Sequence, residues 1–238
     1  MPRVIGTANE SGLHRRLKLI YAGEGGRTEV ELSGFIADAV GSGGELVEIQ
    51  TGSFAPLRKK AAGIVPPAVL KIVCPVIVAK YLEYRDAEGA ALPVRKSSRT
   101  GKVWDLFKGL VYAPELPLLP GVEVELALVD VAEERIRDGK GSWRRGGVSI
   151  GERRLLNLRE RICLKKPADY LRFVPFAKNE EFSSGDLAGK AKIRVNLARK
   201  TLYVLVRLGI AGITGRQGNS NLYRLLVTPR TKNWKKIP

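Results

Sequence analysis

The chain has 238 residues, enough for one large core or two modest ones. Its 44% apolar and 27% charged residues are those of a folded globular protein, and they exclude a disordered or wholly membrane-embedded chain. One histidine and two cysteines without CxxC spacing argue against a structural zinc site and a histidine-based triad, while a net charge of +17 calls for a polyanionic partner.

The charge is unevenly spread. Residues 1–138 carry 18 basic and 18 acidic side chains, whereas residues 139–238 carry 23 and 6. The whole excess therefore lies in the last hundred residues, which suits them to nucleic acid. Cys74 and Cys163 fall in apolar or strand-like surroundings and read as reduced thiols. No apolar signal segment or membrane span is evident, so a cytoplasmic protein without membrane contact is expected.

Residues 9–22 pattern as an amphipathic helix capped by Asn9 or Ser11, with Leu13, Leu17, Ile20 and Tyr21 on one face. Glu10 falls on that apolar face, and an inward carboxylate needs a partner. Residues 28–40 and 45–51 read as strands turning at residues 41–44. A helix over residues 54–65 follows, capped by Ser53 and stopped by Pro66 and Pro67. Residues 69–78 form a dense apolar run, the pattern of a strand buried on both faces.

Further along, residues 81–95 suggest a hairpin, residues 102–111 a helix, and Pro114, Pro117 and Pro120 an extended linker. Residues 122–136 and the segment up to about residue 158 read as long strands flanking Trp143-Arg144-Arg145. From Pro167 the pattern changes to short helices: residues 168–174, a second capped by Ser184, and a third over residues 194–208. Two strands around residues 215–220 close the series.

Asp38 and Glu48 can share one face of the glycine hairpin if its loop is Ser42-Gly43-Gly44, because a three-residue loop sets the two opposite each other. Gln50 then lies on the same face. Ile36 and Val40 share the face of Asp38 and Leu46 that of Glu48, while Phe35, Val47 and Ile49 make the other face apolar. Acids on such a hairpin are out of place unless they bind something. Mg²⁺ or Mn²⁺ fits, since hard cations take one or two carboxylates together with substrate phosphate.

Glu10 on a first helix, Asp38 on one strand and Glu48-Ile49-Gln50 on the next resemble the PD-(D/E)xK nuclease superfamily. The spacing is most similar to archaeal Holliday-junction resolvases. The resemblance covers residues 9–80 and implies a restriction-endonuclease-like α/β core of order αβββαβ. It makes Asp38 and Glu48 metal ligands, puts Glu10 at the auxiliary carboxylate and puts Gln50 at the position of the motif's lysine. Ala37 stands where the motif has proline.

Residues 167–228 resemble a winged-helix module by element order. Its third helix would bury Val195, Ala198, Leu202 and Leu205 and present Asn196, Lys200, Tyr203 and Arg207, with Arg194 and Arg199 beside them. Arg216 would lie in the wing. Arg58, Lys59, Lys60, Arg144 and Arg145 complete the candidate nucleic-acid contacts.

The sequence thus divides into a nuclease-like core (1–96), a β-rich extension (97–166), a winged-helix-like module (167–228) and a basic tail (229–238). It suggests a metal-dependent endonuclease that favours DNA over RNA, including branched or damaged DNA, and that could act as a homodimer. The alternatives are an inactive nuclease-like DNA-binding regulator and an RNA-processing factor.

Overall fold

The computed structural model describes residues 11–32, 34–64 and 68–227. Glu10, Asn9, Pro66, Pro67 and the basic tail lie outside the described residues. The Ser11 hydroxyl accepts from the His14 amide at 3.3 Å and starts α1 (Gly12–Ala22), which buries Leu13, Leu17 and Tyr21 as one stripe.

Three strands follow as an antiparallel meander: β1 (Arg27–Leu32), β2 (Phe35–Val40) and β3 (Leu46–Ile49). Next come α2 (Leu57–Ile64) and β4 (Leu70–Arg85), which lies parallel to β3. This is the αβββαβ order expected of residues 9–80, with α2 starting three residues later than its pattern suggests.

β4 runs well beyond residue 78 and pairs with the short β5 (Arg95–Lys96). After α3 (Leu106–Leu110), β6 (Val122–Ile136) adds parallel to β4, and β7 (Ser149–Leu164) adds antiparallel to β6. The mixed sheet has the order β1-β2-β3-β4-β6-β7, and the protein is α/β.

Residues 97–166 are therefore not an appendage, because β6 is an integral strand of the same sheet. Parallel pairing between distant strands, as of β4 with β6, leaves no local signature in the sequence. The proline-spaced linker is also compact: Leu116–Leu118 form a 3-10 turn, and Leu116 is fully buried.

The sheet buries both faces, which accounts for the unbroken apolar run of β4. On one face Ile72, Cys74, Leu126 and Leu128 pack with Phe54, Leu57 and Phe107. On the other, Val73, Ala127 and Val129 pack under Leu13, Leu17 and Tyr21 of α1.

The carboxy-terminal part begins with a 3-10 helix, Pro167–Phe173, where a short helix was expected. Then follow β8 (Phe182–Ser183), α4 (Ser184–Ala191), α5 (Val195–Arg207), β9 (Ala211–Gln217) and β10 (Ser220–Leu225). The strands form a separate sheet of order β8-β10-β9.

Ser183, not Ser184, caps α4, and its hydroxyl and the Asp186 carboxylate bond each other's backbone amides at 3.2 and 2.8 Å. Ser183→Ala is expected to cost about 1 kcal/mol of stability in urea denaturation.

This part shares the α2-side core. The Trp104 indole N–H donates to the Phe173 carbonyl at 3.1 Å, and the Phe107 and Phe173 rings meet edge to face at 4.9 Å. Among the described residues, no helix is long and apolar enough to cross a membrane.

Candidate active site

The β2–β3 hairpin has the three-residue loop that its glycines suggest. Gly41 donates to the Glu45 carbonyl at 2.9 Å, and Gly44 takes φ +80°, which glycine adopts without strain. The strands pair at Val40–Leu46 and Ala39–Val47, so Asp38 stands opposite Glu48.

There the ladder forks. The Asp38 amide donates to Glu48 Oε1 at 3.2 Å, and the Ile49 amide donates to Asp38 Oδ2 at 2.7 Å. Each acid thus bonds a backbone amide of the opposite strand, where a regular ladder would place carbonyls.

Face alternation breaks at the same point. Ala37 is buried in the α2-side core and Ala39, two residues on, in the α1-side core. Ile36, expected to share an apolar face with Asp38, is instead 56% exposed. On β1, Glu29 stands across from Asp38, and its φ of +55° is uncommon for a residue with a side chain.

The two acids lean toward different helices. Asp38 Oδ2 lies 3.0 Å from His14 Nε2 and Oδ1 lies 3.3 Å from Lys18 Nζ, both on α1. Lys18 also reaches Glu29 Oε1 at 3.3 Å. Glu48 Oε1 accepts from Lys60 Nζ on α2, and Lys60 donates as well to the Ile36 carbonyl. The pair therefore straddles the fork and does not sit side by side on one face.

The environments push the two acids apart. Burial raises the Asp38 carboxyl, but hydrogen bonds from His14 and the Ile49 amide, with the charge of Lys18, hold it below the ordinary carboxylate range. For Glu48, burial prevails over the bond and charge of Lys60, and the neighbouring Asp38 charge adds to it, so its carboxyl titrates above the ordinary range.

Lys60 is the main revision to the candidate residues. It was expected to contact nucleic acid, yet its ammonium is turned inward onto Glu48 and its side chain is only 11% exposed. A positive charge is thus brought to Glu48 from α2. The Gln50 carboxamide donates to the Ser53 carbonyl, within its own loop. Glu29, which reaches Lys18, was not anticipated either.

A family profile described as Domain of unknown function (DUF8091) matches residues 11–165. The chain belongs to this family. It is also similar to an uncharacterized protein of Treponema pallidum (strain Nichols), with 30% identity over 222 residues that cover 92% of this chain and 87% of that one. No solved structure matches.

The DUF8091 region spans the sheet and contains Asp38, Glu48, Gln50 and Lys60, and it ends where β7 ends. The similarity to the Treponema protein is longer and extends into the carboxy-terminal part.

Other candidate contacts in the DUF8091 region are of mixed standing. Arg58 is paired with Glu115, and Lys59 is exposed. Arg144 and Arg145 are exposed at the tip of the β6–β7 hairpin, with Arg144 5.4 Å from the centroid of the Trp143 ring.

Much of the cationic charge of β7 and of Lys165 just after it is internally paired: Arg154 with Glu83 at 2.8 Å, Arg159 with Asp130 at 2.8 Å and Lys165 with Glu123 at 3.0 Å. Acids of the electrically balanced half thus neutralise part of the basic half.

On α5, Arg194, Asn196, Arg199, Tyr203 and Arg207 are exposed, whereas Lys200 is half-buried with its ammonium 5.8 Å from the Tyr112 ring centroid. Arg199 therefore replaces Lys200 in the outer stripe. Val195 is 42% exposed, and Leu197 takes the inward position expected of it. Arg216 is exposed on β9, and its Nε donates to Asn221 Oδ1 at 3.2 Å.

Proposed function

We propose that the protein is a metal-dependent phosphodiesterase with a nuclease-like αβββαβ core and a winged-helix-like module that grips DNA. The observation that carries this reading is the fork, which Asp38 and Glu48 straddle as each accepts from a backbone amide of the opposite strand, with Lys60 on Glu48.

The side chains suit a hard divalent cation. Among the described residues no group of three or more His, Cys, Asp or Glu converges on a metal position. Mg²⁺ nevertheless needs only one or two carboxylates, with water and substrate phosphate completing its shell. Asp38 and Glu48 would hold Mg²⁺ or Mn²⁺, which when bound would polarise the phosphoryl oxygen and acidify water.

Lys18 and His14 position Asp38, and Lys60 favours the ionised form of the buried Glu48 against the effect of burial. Gln50 has one amide hydrogen held by the Ser53 carbonyl and can orient water through its carbonyl oxygen or its second amide hydrogen. Two carboxylates already face Lys18 and Lys60, so an added dication is best balanced by a phosphate. Cation binding is thus expected to be weak alone and tighter with nucleic acid.

The acid side of the pH–rate profile should follow Glu48. It must be ionised to bind the cation, and burial raises its carboxyl. kcat/KM is expected to fall as pH drops through a value above the ordinary glutamate range. A limb at or below that range would contradict this role.

The module's exposed stripe supports the DNA-binding half of the reading. Arg199→Ala with Arg207→Ala should reduce the slope of log K against log salt by about 2. Binding is measured by fluorescence anisotropy at several salt concentrations, with RNA as competitor.

The decisive assay offers duplex, flap and four-way-junction DNA with Mg²⁺ or Mn²⁺. Cleavage supports the proposal. DNA binding without cleavage under either metal favours the second reading, an inactive regulator, which gains support from the protein cations already seated on both acids.

A further inference from the structure

Beside the fork, on the α2 side of the sheet, lies a cavity of about 480 Å³ at the carboxyl end of β3. It begins next to the candidate site. The Gln50 amide donates to the Val73 carbonyl at 2.7 Å, which brings Cys74, a wall residue, alongside Gln50 on the neighbouring strand. Adjacent strands lie about 4.8 Å apart. The Gln50 side chain bonds Ser53, another wall residue.

The lining has two characters. Phe54, Val76 and Leu106 give an apolar floor, and Thr51 and Thr100 add hydroxyl-bearing residues at the rim. Three cations, Lys80, Arg99 and Lys108, also line it. Lys80 pairs with Glu133 at 3.5 Å and Lys108 with Asp105 at 2.8 Å, while Arg99 is exposed. At Gly101 a Cβ would sit 3.1 Å from the Ile77 carbonyl oxygen, so the chain passes close to β4 there.

An apolar ligand would leave Arg99 unanswered, and inorganic phosphate would leave the floor uncovered. A flat heterocycle carrying a phosphate answers both, and the volume lies in the usual range for small-molecule sites. We propose that this cavity receives one unstacked nucleotide of a bound strand, with the base on the apolar floor and a phosphate on Arg99.

The path of that strand rests on the phosphodiesterase reading; the binding itself does not. Extruding a nucleotide is easiest where it is already unpaired. The cavity would therefore direct the protein toward gaps, bulges and mismatches.

The test uses the full-length protein in EDTA and a duplex carrying a single unpaired 2-aminopurine. Binding should change the 2-aminopurine emission. Arg99→Ala should weaken binding of that duplex about tenfold and leave a fully paired duplex unaffected.

Thr100→Trp, at an exposed rim position, should abolish the emission change. Unchanged emission in the wild type, or a change that survives both variants, overturns the proposal. If AMP binds in an Arg99-dependent manner while the strand gives no signal, the strand form of the proposal is overturned in favour of a free nucleotide. A retained signal without any metal-dependent cleavage would sink the phosphodiesterase reading and leave the cavity assignment standing.

Discussion

Asp38→Asn is expected to leave the fold intact and to lower metal-dependent cleavage by about 10³-fold. The asparagine oxygen can still accept from the Ile49 amide, so the fork keeps its backbone contact. What disappears is the charge proposed to hold the cation. A Lewis acid stabilises a phosphoryl transition state by several kcal/mol, and about 4 kcal/mol corresponds to about 10³-fold in rate. Single-turnover cleavage measures the loss, with circular dichroism as the control for folding. Equal rates in variant and wild type would remove Asp38 from the site.

Lys60→Met should destabilise the protein by about 3–5 kcal/mol, the usual cost of breaking a buried ion pair by removing one partner. Glu48 and Lys60 are 13% and 11% exposed, so little water is available to take over the orphaned carboxylate. The loss comes from that stranded charge, and Lys60→Met combined with Glu48→Gln should recover most of it. Urea denaturation of the four proteins gives the coupling. Additive losses would mean that the two side chains do not act as a pair. Lys60→Arg should retain part of the stability, because the charge stays while the geometry changes.

The local pattern anticipated several of these features. The parity of the glycine loop set Asp38 opposite Glu48, and alternating apolar residues gave the order of elements around it. The tertiary uses of charge were hidden. Arg58, Lys59 and Lys60 look like one solvated run, but successive helix residues point about 100° apart. One therefore meets Glu115, one faces solvent and one enters the core against Glu48.

The same limit applies to β7, whose Arg154 and Arg159 count toward the basic half of the sequence although β4 and β6 bring acids alongside them. The fork itself had no signature. A strand that changes face at one residue still shows the alternation expected of a regular strand on either side of it.

The most direct test of the central claim is Mn²⁺ binding followed by electron paramagnetic resonance, with and without a short DNA duplex, in wild type, Asp38→Asn and Glu48→Gln. The fork predicts weak Mn²⁺ binding to the wild type alone, clear tightening when DNA is added, and loss of the bound signal in both variants. Equal Mn²⁺ binding in all three proteins, or none in the wild type with DNA present, would contradict the assignment of Asp38 and Glu48 as a metal site.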